Sequence, residues 1–234
     1  MKTSLFLSPV SCLLAAALLV STSVSHASVT AVSNLNNSVD AYLFVNDLTS
    51  GGNRVGQDLA NSFTAGSTVM LDNIRVNFAS GFDPSGTGFS AALYSDAGGT
   101  APGTLLATLT GPDPHAGGLY SYTPTVATQL VSGTKYWALF SAVYGAPDEQ
   151  FPITITADTS DTGLSGWSIG DYNNLNLRTV TNGVAGAWHN NAAGGVLQFE
   201  VNTSAAPEPS RMLLLASGFG ALFMTRRRRR TTEA

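Results

Sequence analysis

Four aromatic side chains in residues 163–195 have the types and spacing of a sugar-binding surface. They are Trp167, Tyr172, Trp188 and His189, and asparagines lie beside them at 173, 174, 190 and 191. An aromatic ring stacks on the apolar face of a pyranose while amide groups hydrogen-bond its hydroxyls. The same rings could instead pack under the loops, because large aromatic side chains stabilise a protein most when they are buried. The sequence leaves both interpretations open.

The titratable residues give little support to catalysis. Beyond the first 27 residues the chain has no cysteine, and His115 and His189 are its only histidines. A nucleophile needs a base within hydrogen-bond reach, and a zinc hydrolase needs closely spaced histidines. Asp148 and Glu149 could form a glycosidase pair, but solvated surface charge is the better explanation, because thirteen acids in about 180 residues will always offer pairs. We expect no catalytic residue and no cofactor, so the sequence predicts that the chain is not an enzyme.

A weak calcium motif is the remaining candidate for bound metal. Residues 158–163 read Asp-Thr-Ser-Asp-Thr-Gly, which provides two carboxylates close together. A calcium loop has a ligand at every second position and a distant glutamate, and both are lacking here. The sequence therefore predicts no metal site.

The C-terminus has the most specific order of residues. Pro207, Glu208 and Pro209 precede an apolar run at 212–225, which is followed by Arg226, Arg227, Arg228, Arg229 and Arg230. A helix over the apolar run would be about 21 Å long, against a hydrocarbon core of about 30 Å. Long arginine stems and local thinning of the bilayer would allow it to insert. Since basic flanks stay cytoplasmic, we expect everything before Pro207 to be exported.

This order of motif, short apolar helix and basic cluster resembles the PEP-CTERM sorting signal of Gram-negative bacteria that produce extracellular polymeric matrix. The resemblance covers residues 206–230 and includes Pro207, Glu208 and Pro209, with Arg211 as a mild departure. It implies that a membrane-embedded exosortase recognises the motif and removes the tail during transfer to the cell surface or matrix. A simple tail anchor is the alternative, and a GPI signal fits less well because its apolar tail usually lacks a basic cluster.

The N-terminus agrees with export. Residues 1–27 have one basic residue, Lys2, an apolar stretch at 10–20 and small residues at the positions that signal peptidase inspects. We expect the Sec machinery to export the chain and signal peptidase to cut between Ala27 and Ser28. Cys12 precedes most of the apolar stretch, which argues against a lipoprotein signal. The exported part would then contain no cysteine and no disulfide.

Composition favours an extracellular β-domain. Residues 28–206 carry thirteen acidic and four basic residues, a net charge of −9, and are rich in Gly, Ser, Thr, Asn and Ala. This charge excludes a nucleic-acid surface, which needs a basic footprint. The length of about 180 residues is enough for one domain to bury a core without disulfides.

Short alternating segments with turns between them predict the fold. Residues 74–78 alternate strictly, which is typical of an antiparallel strand with one buried face. Residues 135–141 form the strongest predicted strand, with Trp137 in the core. Eight to ten such segments without an amphipathic helix predict an all-β fold, a single antiparallel β-sandwich of jelly-roll type. The domain division is a signal peptide at 1–27, the sandwich at 28–206 and the sorting tail with its transmembrane helix at 207–234.

Four short motifs in this domain resemble the choice-of-anchor R type of surface domain. They are Asn-Ser-Phe-Thr at 61–64, Leu-Tyr-Ser-Asp at 93–96, Pro-Gly-Thr-Leu-Leu at 102–106 and Gly-Thr-Lys-Tyr-Trp at 133–137. The resemblance covers roughly residues 40–201. It implies an exported module without an assigned biochemical activity and supplies no catalytic residue.

Two functions therefore remain open. The first is a non-catalytic cell-surface or matrix protein that an exosortase sorts after an inner-membrane intermediate with a cytoplasmic C-terminus. The alternative is a carbohydrate-binding module that binds exopolysaccharide. Binding of the exported domain to a panel of polysaccharides distinguishes the two.

Overall fold

The computed structural model describes residues 27–81, 87–145, 149–191 and 194–204. Within them the chain forms strands and one short 3₁₀ turn, Tyr172–Asn174. The eleven strands of five or more residues are β1 (Val29–Ser33), β2 (Ala41–Ser50), β3 (Asn53–Thr64), β4 (Val69–Phe78), β5 (Phe89–Asp96), β6 (Pro102–Thr110), β7 (Gly118–Pro124), β9 (Lys135–Ala142), β10 (Glu149–Thr156), β13 (Leu175–Thr181) and β17 (Phe199–Ser204). The two-residue strands are β8 (Gln129–Leu130), β11 (Thr162–Gly163), β12 (Ser168–Ile169), β14 (Val184–Ala185), β15 (His189–Asn190) and β16 (Val196–Leu197).

The all-β antiparallel fold expected from the sequence is confirmed, and every described strand pairing is antiparallel. Pairings join eight strands into a closed ring in the order β2, β3, β9, β5, β6, β7, β4 and β10, with β10 returning to β2. At β3 the neighbours β2 and β9 follow one another along the same edge of the strand. The ring is one continuous sheet, whereas the predicted sandwich would have two facing sheets. Alternation along a strand fixes which face is buried, but it does not determine which edges meet.

The interior of the ring is the hydrophobic core. On β4, Ile74, Val76 and Phe78 point inward and are buried, as the alternation predicts. Aromatic rings fill the interior around two centres. Phe89 lies 5.2 to 6.1 Å from four rings and Phe63 lies 5.7 to 6.5 Å from three, measured between ring centroids. Such pairs stabilise a core beyond the area that they bury.

Two features interrupt the apolar pattern of strand β3. A Cβ atom at Gly56 would lie 2.7 Å from the carbonyl oxygen of Asn46 on β2, so only glycine allows the two backbones to approach this closely. The second feature is Asp58, a buried carboxylate on the outer side of the sheet. One edge of β3 pairs with β2 and then β9, while the other edge pairs with β13 and β12.

The first and last described strands lie side by side. Val29 pairs with Thr203 and Thr30 with Asn202, so β1 covers one edge of β17 while β4 pairs with the other. A break at Gln198, between β16 and β17, is bridged by the amide of Asn34. Its Nδ2 donates to the carbonyl oxygen of Leu197 at 2.9 Å, and its Oδ1 accepts from the backbone N–H of Phe199 at 2.9 Å.

Candidate functional site

Trp167 is part of the core and is not available to a sugar. Its side chain is 6% exposed, and its ring stacks on Phe63 with centroids 6.5 Å apart and planes 11° apart. The indole Nε1 donates to Ser67 Oγ at 3.3 Å. A buried indole with its one donor satisfied has no free face, so packing is the structural role of Trp167.

Trp188 is half-buried on the outer side of the sheet. It directly precedes β15, which pairs with β13 through Leu177 and His189. The guanidinium carbon of Arg178 lies 4.5 Å from the centroid of the Trp188 ring, and Arg178 Nε donates to Asp58 Oδ2 at 2.8 Å. The indole therefore carries a cation on one face, which is a cation–π contact. The neighbouring His189 is exposed.

Trp188 belongs to a small apolar cluster outside the ring, which we call the outer cluster. It consists of Ala60, Trp137 and Leu139, with Tyr94 and Trp188 packed against them. Trp137 is fully buried, as expected, but it lies here and not in the interior core. The Trp137 Nε1 donates to Asp96 Oδ1 at 2.8 Å, and this hydrogen bond fixes the indole beside the end of β5.

Hydrogen bonds from two side chains, Lys135 and Asn176, hold the loop at 97–101 beside the outer cluster. Lys135 Nζ donates to the carbonyl oxygen of Gly99 at 3.0 Å and to Asn174 Oδ1 at 3.2 Å. Asn176 Nδ2 donates to the carbonyl oxygen of Thr100 at 2.9 Å. These contacts join the β5–β6 connection to the segment that begins β13, and thereby hold the loop at one position over the sheet.

The asparagine amides expected to bind hydroxyls mostly bind protein instead. Asp171 Oδ1 accepts from Asn174 Nδ2 at 2.7 Å and from the backbone N–H of Asn173 at 3.1 Å. Asn190 Nδ2 donates to the carbonyl oxygen of Asn173. The backbone of Tyr172 begins the 3₁₀ turn, and its side chain lies outside the described part. Of the four predicted contact residues, the consecutive Trp188 and His189 lie at the surface, whereas Trp167 lies in the core.

Arg178 and Asp58 are the residues of this site that the sequence analysis missed. Burial raises the pKa of Asp58 above its ordinary value of 3.8, and the hydrogen bond and charge of Arg178 oppose that rise. The ion pair with Asp58 holds the Arg178 guanidinium over the Trp188 indole. In the sequence this pair is only an acid and a base 120 residues apart, and no local pattern indicates that they meet.

The carboxylates of the weak calcium motif accept hydrogen bonds from the protein backbone. Asp158 Oδ1 accepts the backbone N–H of Ser160 at 2.8 Å, and this hydrogen bond lowers the pKa of Asp158. Asp161 Oδ2 accepts from Ile169 N at 2.8 Å, while the Asn37 amide donates to the carbonyl oxygens of Asp158 and Ser160. The loop oxygens therefore serve the protein's own donors. In the part of the chain that the structure describes, no three His, Cys, Asp or Glu side chains are grouped to hold a metal ion.

The sorting residues fall mostly outside the described ranges. This applies to Pro207, Glu208 and Pro209 and to Arg226 through Arg230, as well as to the signal segment before Ala27. Ala27 and Ser28 are exposed and directly precede β1. Within the described ranges, no helix has the length and apolar character needed to cross a membrane.

Comparison of the chain with protein-family models, with curated proteins and with solved structures finds no match.

Proposed function

We propose that the chain is an exported, non-catalytic protein of the cell surface or extracellular matrix, sorted by an exosortase through its C-terminal signal. The observation that carries the proposal is the order of Pro207, Glu208 and Pro209, the apolar run and the five arginines. The division at residues 27 and 206, the route through Sec and signal peptidase, and the likeness to the choice-of-anchor R type of surface domain belong to the same proposal.

The geometry of the domain ends supports this proposal. The pairing of Val29 with Thr203 brings the signal-cleavage position and the start of the tail to one edge of the domain. Ser204 ends β17 only three residues before Pro207. A domain tethered there would keep both of its ends at the membrane and its remaining surface free.

Mass spectrometry of protein released at the surface tests the sorting signal. In a host that carries an exosortase, the released chain should lack Arg226 through Arg230. Glu208→Ala should leave the uncut chain in the inner membrane, whereas Glu233→Ala, a charge removal outside the motif, should be processed normally. Recovery of the released chain with its C-terminus intact would contradict the proposal.

Carbohydrate binding at Trp188 is the second candidate. The observation that favours it is a half-buried indole next to exposed His189, with Arg178 holding the ring in place. Exopolysaccharide is the natural ligand class for a matrix protein that exposes an indole in this way. Trp167 is no longer part of this site, and Tyr172 remains in it on the sequence argument alone.

Binding to a polysaccharide panel tests the second candidate. If the site is real, Trp188→Ala and His189→Ala should each weaken binding, with the larger loss for the indole because it offers the larger ring area to the apolar face of the sugar. Val184→Ala, an exposed change on the neighbouring hairpin, should leave binding unchanged. A wild-type chain that binds no polysaccharide would eliminate this candidate.

A further inference from the structure

Strand β6 has an edge that is open to solvent. Its first edge pairs with β5 from Pro102 to Leu109, but on its second edge β7 pairs only with Leu109 and Thr110. One further bond follows, from Thr125 N–H to the carbonyl oxygen of Thr108 at 2.9 Å. Among the strands that the structure describes, none pairs with residues 102–107 on this second edge.

The open edge is apolar and exposed. A β-bulge in the pairing with β5 lies between Ala107 and Leu105, and as a result Leu105 and Leu106 are both exposed, at 49% and 40%. Residues 104–110 read Thr-Leu-Leu-Ala-Thr-Leu-Thr, without charge, proline or glycine. A segment of this composition on an open edge is a template for pairing with another strand.

The flank around this edge carries almost no charge, although the rest of the domain is acidic. From residue 97 to residue 134, which includes β6, β7 and β8, Asp113 is the single charged residue of the sequence. Its carboxylate is held locally, because Asp113 Oδ1 accepts from the backbone N–H groups of Gly88 and Phe89 at 3.1 and 2.9 Å. Residues 28–206 have a net charge of −9, so two copies of the domain repel each other through their acidic surfaces. The uncharged flank is the side on which they can approach with the least repulsion.

We propose that β6 is a self-association edge, through which two copies of the chain pair their β6 strands antiparallel about a two-fold axis. An antiparallel strand edge is complementary to itself, so a second copy offers the N–H and carbonyl groups that residues 103–107 lack. It also offers an equally neutral surface, which a charged partner does not. The pairing would bury Leu105 and Leu106 of both copies.

Sedimentation equilibrium of the full chain in density-matched detergent tests the proposal. The wild-type chain should form a dimer, and Leu106→Lys should raise the dimer dissociation constant about tenfold or more, because it sets two lysines against each other. Val184→Lys is the matched control, since Val184 is 72% exposed on the separate β14 edge. It should dimerise like the wild type. Unchanged circular dichroism of both variants establishes that the fold is intact.

Salt dependence and cross-linking give independent readouts. Dimerisation should strengthen as salt rises from about 0.05 to about 0.5 M, because salt screens the repulsion between acidic copies. With Cys12→Ser as background, a cysteine at 104, 105 or 106 should form a disulfide between copies, and one at 184 should not. A chain that stays monomeric under all conditions would overturn the proposal. So would a dimer that Leu106→Lys leaves unchanged.

Discussion

At the scale of single residues, Trp167 and Trp188 have opposite environments despite their similar settings in the sequence. Trp167 stacks on Phe63 inside the ring, whereas Trp188 is half-buried under Arg178. Trp167→Ala should lower the free energy of unfolding by about 3 to 5 kcal/mol, the usual cost of emptying an aromatic core position. Trp188→Ala should cost only about 1 kcal/mol, because it removes a surface cation–π contact and partial packing. Urea denaturation of both variants checks this, and equal losses would contradict it.

The Asp58–Arg178 pair gives a prediction about pH. Burial raises the pKa of Asp58, so the folded protein binds the proton more tightly than the unfolded chain does. The free energy of unfolding should therefore fall as pH rises above 3.8 and Asp58 is forced to ionise. Asp58→Asn should remove this component, which is measured as the difference between variant and wild-type unfolding curves across pH.

Asp158 is the matched control because its pKa is shifted the other way. Its hydrogen bond from Ser160 lowers the pKa, so its stabilisation is present above the unfolded pKa and lost as pH falls. Asp158→Asn should remove a component of that opposite slope. If Asp58 behaved like Asp158, the attraction of Arg178 would outweigh burial at Asp58.

At the scale of elements, the hairpin of β2 and β3 depends on the close approach at Gly56. Gly56→Ala should destabilise the protein by about 1 to 3 kcal/mol, because the new methyl group meets the Asn46 carbonyl oxygen and forces the strands apart. Gly51→Asn, in the turn of the same hairpin, should cost less than about 1 kcal/mol. Its φ of 58° suits asparagine and nothing lies within 4 Å. Thermal unfolding of the pair checks the prediction, and a reversed order of melting temperatures would refute it.

At the scale of the whole molecule, the adjacency of β1 and β17 predicts that chain order can be rearranged. A circular permutant that joins Ser204 to Val29 by a short glycine-serine linker, with new ends between Gly51 and Gly52, should fold. The joined ends are neighbours in a ladder, where paired Cα atoms are about 5 Å apart. Its circular dichroism spectrum should match the β-rich spectrum of the parent domain. A disordered spectrum would mean that the β2–β3 turn must stay intact.

The parts of this molecule that sequence predicts are those set by local patterns. The alternation at 74–78 correctly assigns Ile74, Val76 and Phe78 to the interior, and 135–141 is correctly a strand with Trp137 buried. Closure into a ring depends on contacts such as Ile153 with Phe78, which no local pattern records. The candidate site is predicted only in part. The sequence shows the aromatic residues Trp188 and His189, but it does not show that Arg178 pairs with Asp58, which lies 120 residues away in the chain.

The position of β17 between two neighbours determines how the domain bears mechanical force. Six register pairs connect β17 to β4 and four connect it to β1. A pull on Ser204 along the strand axis loads both ladders in shear, so many hydrogen bonds resist together. A pull perpendicular to the strand axis would instead peel the strand away and break the hydrogen bonds one after another. A domain tethered by its C-terminus would thus withstand drag from a flowing medium best when the pull runs along the axis of β17.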